Sequence, residues 1–453
     1  MPMADAARPQ VTTKRLPLSS QQREWLERAW AAVDRERLAT LIADLVNIPS
    51  PTGSEGACAQ YAVDDMRRHG IQAQYQQMTE NRGNAVGWLR GKGGGASLLL
   101  YGHFDHYITG DADDRLVTGA IDHPSFHSKA VRTGNVIRGA GSGNPKAGSV
   151  ACMLAAQAVA AANVPLLGDV AVGLVSGGIH KVQIGDAGRP YVDPKYQGFG
   201  SGCEYMLRHG MRTDFCVSSK PGYTVVWEEP GVIWIKLTLK GVVGYAGRRG
   251  VYKRPIEGAA VLIPRLVDWF EAYADRHSTG QAGAPGHIGA IEGGWPFKPD
   301  FSPAVCNLYL DIRVSPRSDV RDILAEFAEF IDSFKAANPA MDIEWKPFAL
   351  MPGTSSDPNG WIVQSTMRAW EAVEGQPHQV RTGMSGMTDA ALLRSAGIPT
   401  ARLGGQLSTG ADPSMGFLGG EGADLDVMMR VIKCYIHAII DTCTRPREEV
   451  VEA

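Results

Sequence analysis

The sequence shows no excess of either charge, no paired cysteine motif and no long apolar run, and each absence removes a class of function. Lys and Arg number 45 against 48 for Asp and Glu, a formal net charge of −3. The two signs are mixed along the chain, so no one-signed field draws it to nucleic acid or to an anionic membrane surface, and neither is expected as a partner. The seven cysteines (Cys58, Cys152, Cys203, Cys216, Cys306, Cys434, Cys443) are scattered, with no CxxC or other short ligand spacing. This argues against a disulfide framework or a zinc ribbon and fits a reducing compartment. No stretch of about eighteen apolar residues occurs, and the opening MPMADAARPQ lacks the apolar segment of a secretory signal. A soluble, cytoplasmic protein is expected.

The 453 residues, 44% hydrophobic and 21% charged, are those of a folded chain, with a length that allows roughly three domains or two large ones. Residues 21–48 bring Trp25, Leu26, Trp30, Val33, Leu38, Leu41, Ile42 and Leu45 round at helical spacing until Pro49 and Pro51 end the run. A second helix is expected near 55–69. The segment 96-ASLLLYGHFDH-106 is a short apolar run with a polar exit, as a buried parallel strand requires. The Ala-rich helix 149–162, the apolar run 170-VAVGLVSGG-178 and the strand 214-DFCVSSKPG-222 continue the alternation. Alternating strands and helices predict a three-layer α/β domain with a mostly parallel sheet, whose ligands gather at the carboxyl ends of the strands.

At Gly231 the pattern changes to period two: 232-VIWIKLTLKG-241 and 305-VCNLYLDIRV-314 each precede a helix, and a short strand follows near 342–346. A small α+β unit is therefore expected at 232–344, inserted into a larger domain made of 1–231 and 345–453. The chain then returns to helix, strand and a terminal helix near 424–442.

The motifs 48-IPSPTGSE-55, 101-YGHFDH-106, 139-GAGSGNPKAG-148, 214-DFCVSSKP-221, 240-KGVVGYAG-247, 311-DIRVSP-316 and 386-GMTDAALLRSAGIP-399, in that order, resemble the co-catalytic zinc peptidases and deacylases. That family includes acetylornithine deacetylase, succinyl-diaminopimelate desuccinylase and glutamate carboxypeptidase. The resemblance covers about residues 40–445 and implies a ferredoxin-like lid that pairs two subunits into a homodimer. It also implies two metal ions held by His, a bridging Asp, Glu, a further carboxylate and a distant His, with a Glu as general base. Ligands of those types suit a borderline metal whose bound water attacks the carbonyl.

Here the pattern survives at His103 and Asp105 and fails elsewhere. Asn144 stands at the bridging Asp, with Lys146 retained after it. Ser176, Gly177, Gly178, Ile179 and His180 replace the run with adjacent glutamates. Lys220 stands where a ligating carboxylate precedes Pro, Phe417 or Leu418 where the distant His falls, and Tyr245 where the lid carries its His. Carboxylates and imidazoles leave the site while an ammonium enters it, so a dinuclear centre is not expected. The expected cofactor is none, or a single Zn or Mn on His103 with His106 or His180. Lys220 is expected in the space of a cation, paired with Asp105.

Several residues keep two readings. His103 and Asp105 either bind a metal or form a hydrogen-bonded pair that supports a loop. Lys220 is either a nucleophilic or Schiff-base amine or a pocket-filling ion pair. Tyr245 either donates to an oxyanion from a partner subunit or is an interface residue. Asp389 is expected to cap the helix after it. His123 and His127 are expected to shape the entrance, Ser408 and Thr409 are candidate ligand contacts, and Arg248, Arg249 and Arg254 either meet an anionic small molecule or are solvated. Cys152 and Cys216 read as inert core thiols. The leading expectation is a divergent hydrolase of an amide-type C–N bond in a small amino-acid-like or carboxylate substrate. In its metal-free form Lys220, Asn144 and Tyr245 would polarise the carbonyl while His103 and Asp105 move protons. The alternatives are a non-catalytic binding or regulatory protein, and a non-hydrolytic or aryl-amine-hydrolysing enzyme on the same scaffold.

Overall fold

The computed structural model describes residues 11–119, 122–248, 253–405 and 422–451. The larger domain is built on a six-stranded sheet in the order Gln72–Thr79, Arg82–Leu89, Val170–Val175, Leu98–His103, Phe215–Ser218, Thr400–Arg402. The last four strands run parallel and the first two form an antiparallel edge. Strands Leu98–His103 and Val170–Val175 are buried along their whole length, which is why they read as uninterrupted apolar runs.

Side chains of one strand alternate between two cores. Leu98 and Leu100 enter the core formed with helices Arg35–Asn47, Gly56–Arg68, Ala147–Ala161, Trp361–Glu374 and Leu425–Cys443. Leu99 and Tyr101 enter a smaller core with helices Ser201–Arg208 and Ala390–Ser395 on the opposite face. Three layers result. The Ala-rich helix Ala147–Ala161 is buried on nearly every side, and its small side chains allow that close approach.

The inserted unit is an antiparallel sheet in the order Gly286–Gly293, Val305–Val314, Gly231–Lys240, Asp342–Met351. One face, carrying Ile233, Ile235, Leu237, Leu308, Leu310 and Ile312, packs on helices Pro255–His277 and Val320–Ala337. The other face carries Trp234, Tyr309 and Asp311. The strand expected near 342–346 runs on to Met351 through a bulge at Pro347/Ala349. Where the chain crosses between the units, Glu228–Glu229 pairs with Thr354–Ser355. Glu228 accepts from Arg317 of the insert (2.9 Å), and Glu229 accepts from Arg402 and Thr388 of the larger domain (2.7 Å each). Among the described residues no helix is long and apolar enough to cross a membrane.

Candidate active site

Strands Leu98–His103, Val170–Val175 and Phe215–Ser218 end at the same edge of the sheet, so His103, the loop at Gly177 and Gly178, and Lys220 converge there. His103 and Asp105 are fully buried. The Asp105 carboxylate accepts from His103 Nδ1 (2.8 Å), Thr52 Oγ1 (2.8 Å), Gly178 N (2.8 Å) and Ile179 N (3.0 Å). A carboxylate only accepts, so Nδ1 carries the imidazole proton and Nε2 presents a lone pair. Lys220 Nζ lies 2.5 Å from that Nε2 and donates to it.

The electrostatics follow from burial. Desolvation, with the charge of Lys220 behind it, lowers the His103 pKa to about 4 despite Asp105, so the ring is neutral. Burial pushes the Asp105 carboxyl upward, but the hydrogen bond and charge of His103, with Ile179 N–H and Thr52, outweigh it and hold Asp105 below the usual carboxylate range. Lys220 is lowered by desolvation, partly countered by the charges of Asp389, Asp105 and Glu229. A buried amine of this kind loses its proton more readily than a solvated lysine.

Lys220 was expected to pair with Asp105, and its hydrogen bond goes to His103 instead. The two Asp105 oxygens are already committed to four donors. Asp389 was expected to cap helix Ala390–Ser395, but its side chain makes no cap hydrogen bond. The carboxyl turns inward: Oδ2 accepts from Tyr101 OH at 2.6 Å, and Oδ1 is buried with no partner among the described residues. Burial raises its pKa to about 6 in spite of Lys220. The charges of Asp389 and Lys220 thus act on each other in the buried site. The one sequence signal for this role was an Asp among apolar residues.

The other expected residues are placed less centrally. Asn144 sits in the turn Ser142–Lys146, its Oδ1 buried without a partner, and no hydrogen bond among the described residues joins it to His103 or Lys220. Lys146 anchors that turn, donating to Leu45 O (2.7 Å) and Ile48 O (2.9 Å), with its pKa lowered to about 8 by burial. His106 accepts from Ser50 N (3.4 Å), and His180 lies edge-on to Phe199. Burial lowers both imidazoles to about 3. Tyr245, 57% exposed, packs against Phe301 on the insert. His123 caps the turn Pro124–Phe126, His127 pairs with Asp122, and Arg254 pairs with Glu257. Burial raises the thiols of Cys152 and Cys216. Arg249, Ser408, Thr409, Phe417 and Leu418 lie outside the described residues.

The fold is a two-domain α/β scaffold with a lid inserted after the third central strand. A peptidase dimerisation domain matches residues 228–339. Over 412 residues the chain is 25% identical to N-formyl-4-amino-5-aminomethyl-2-methylpyrimidine deformylase of Halalkalibacterium halodurans, covering 84% of this chain and 90% of that protein. Human carnosine dipeptidase 1 superposes with a TM-score of 0.67 at 13% identity, covering 94% of this chain and 99% of that one. A dinuclear metal-binding M20 peptidase from Bacillus subtilis gives 0.58 at 14% identity, covering 90% and 99%. Residues 228–339 thus carry a peptidase dimerisation domain, and the whole chain shares its fold with these M20-type structures.

The residues present do not fit the divalent metal which that resemblance implies. The Nε2 lone pair of His103 is taken by the Lys220 amine, and a Cβ at Gly178 would lie 2.5 Å from His103 Cγ, so no carboxylate can rise from that position without moving the ring. Among the described residues no group of three His, Cys, Asp or Glu is arranged to hold an ion, and the stretch 406–421 contains no histidine. A donor set of one occupied imidazole and a neutral amide binds a divalent cation poorly.

Proposed function

We propose that this chain hydrolyses the C–N bond of a small N-formyl or N-acyl amine, without a divalent ion. The reading rests on one contact: Lys220 Nζ donates to His103 Nε2 at 2.5 Å while His103 Nδ1 is held by Asp105. The neutral Lys220 amine takes a proton from water as the water oxygen bonds to the carbonyl carbon. The resulting ammonium returns that proton to the amide nitrogen as the C–N bond breaks, giving a carboxylic acid and an amine. His103 and Asp105 orient the amine and receive its N–H, and Asn144 is the side chain assigned to the developing oxyanion. The deformylase relative acts on an N-formyl amine, which supports the bond type. The lid supports a homodimer.

A panel of N-formyl and N-acyl amines tests the reading. Turnover should persist in chelator and fall at least a hundredfold in Lys220→Met with folding intact, within the range assigned to a lost acid–base group. Chelator-sensitive turnover with two tightly held ions per chain overturns it. A second reading, a non-catalytic small-molecule binder, draws on Asp389, Asp105 and Glu229, whose charges favour the protonated form of Lys220 against its desolvation. Binding without turnover selects that reading.

A further inference from the structure

Phe199 has φ +58°, a left-handed conformation that a bulky residue adopts only when its surroundings impose it. What the strained backbone secures is the position of the ring. Phe199 lies edge-on to His180 (5.5 Å, 68°) on one side and to Trp234 (5.5 Å, 62°) on the other. His180 follows the Gly-rich loop that binds Asp105, and its pKa is lowered, after burial, by the charge of Lys220. Trp234 belongs to the lid strand and meets Phe348 at 5.9 Å. The row therefore runs from the Lys220 site across to the lid, and each of its four rings is only partly buried. Two buried polar atoms beside it have no partner among the described residues: His180 Nε2, and Oδ1 of Asp311, whose Oδ2 accepts from Trp234 Nε1 at 3.1 Å.

Partly buried rings held in line by a strained backbone, with unsatisfied polar atoms at their edge, are suited to a flat polar ring rather than an alkyl chain. Aromatic edges and faces attract beyond the area they bury, and buried polar atoms without partners favour a ligand that satisfies them. We infer that His180, Phe199 and Trp234 form the specificity wall of the site, selecting substrates whose amide is borne by a planar aromatic or heteroaromatic ring. The inference rests on the proposed amide-hydrolase reading for the position of the scissile bond, but the wall itself is tested by binding.

The probes are N-formylbenzylamine and N-formyl(cyclohexylmethyl)amine, of matched size but different ring, titrated calorimetrically into the full-length protein alongside turnover assays. The aromatic probe should bind about tenfold more tightly. Phe199→Leu and Trp234→Leu should each bring the two affinities together, while Trp234→Phe should retain the preference. Melting curves identify any variant that fails to fold, and Trp234→Leu then stands in for Phe199→Leu. Ring-selective binding without turnover leaves the wall in place and removes the hydrolase reading. Turnover with equal affinity for both probes does the reverse. No preference in the wild type, or a preference unchanged in both Leu variants, overturns the inference.

Discussion

At the scale of single residues, Lys220 and Asp389 show how little of a site's chemistry a pattern carries. The replacement of a carboxylate by Lys220 was legible as a change of charge. Its partner was not, because spacing does not reveal that Asp105 spends both oxygens on Thr52, Gly178, Ile179 and His103. Asp389 stood before a helix and read as a cap, yet its φ of −63° and ψ of −5° already place it in the helical region. An N-cap instead takes extended backbone and turns its side chain back onto the first turn. Asp389 therefore acts on Lys220 as a buried counter-charge where it is ionised, and that role has a measurable sign. Asp389→Asn removes an anion beside the amine, which lowers the Lys220 pKa further. If neutral Lys220 is the base, the rising limb of the pH profile of kcat/KM should move to lower pH by about one unit. An unmoved limb would show that the two groups are not coupled.

At the scale of elements, burial decided what could be read. The strands Leu98–His103 and Val170–Val175 are closed on both faces and announce themselves as apolar runs. The edge strand Gln72–Thr79 carries five Gln or Thr residues on a half-exposed surface, and the lid strand Gly286–Gly293 carries three glycines. The first alternates only weakly, on Ala73 and Tyr75, the second is broken by its glycines, and both were missed; pairing with a neighbour forms them more than intrinsic propensity does. The loop after Val170–Val175 is the element on which the altered site turns. Glu55 accepts from Gly177 N at 2.9 Å and Asp105 from Gly178 N at 2.8 Å, so two carboxylates from outside hold a loop that has no side chains of its own. A methyl group at Gly178 would lie 2.5 Å from His103 Cγ. Gly178→Ala should thus displace the imidazole, destabilise the fold by about 1–3 kcal/mol, as overpacked cores do, and lose the Lys220–His103 contact. Gly289→Ala, on the exposed lid strand where the nearest atom is 3.7 Å away, should leave stability unchanged. Equal melting temperatures for the two variants would show that the loop yields easily and that the site is not sterically closed.

At the scale of the whole molecule, the buried titratable groups set how the fold responds to acid. His103, His378 and His437 have pKa values lowered to about 4, and His106 and His180 to about 3, with desolvation the leading cause in each. In the unfolded chain a histidine takes up its proton near pH ~6.5. Between that pH and the folded values the unfolded state binds more protons than the native state, so stability falls as the solution is acidified through this window. Asp389 works in the opposite sense. Its folded pKa of about 6 lies above the unfolded value, so it favours the native state at low pH and withdraws that contribution as pH rises towards 6. Glu55, whose pKa burial also raises, acts in the same sense, but two carboxyls cannot balance five imidazoles, and each histidine contributes a slope of up to ~1.4 kcal/mol per pH unit where it titrates in the unfolded state alone. The melting temperature should therefore drop steeply between pH 6 and 4.5. His437→Gln, remote from Lys220 on the terminal helix, should make that drop shallower without altering ligand binding. A melting temperature independent of pH across the window would mean that these rings are protonated in the native state, and the neutral His103 on which the Lys220 contact depends would fall with them.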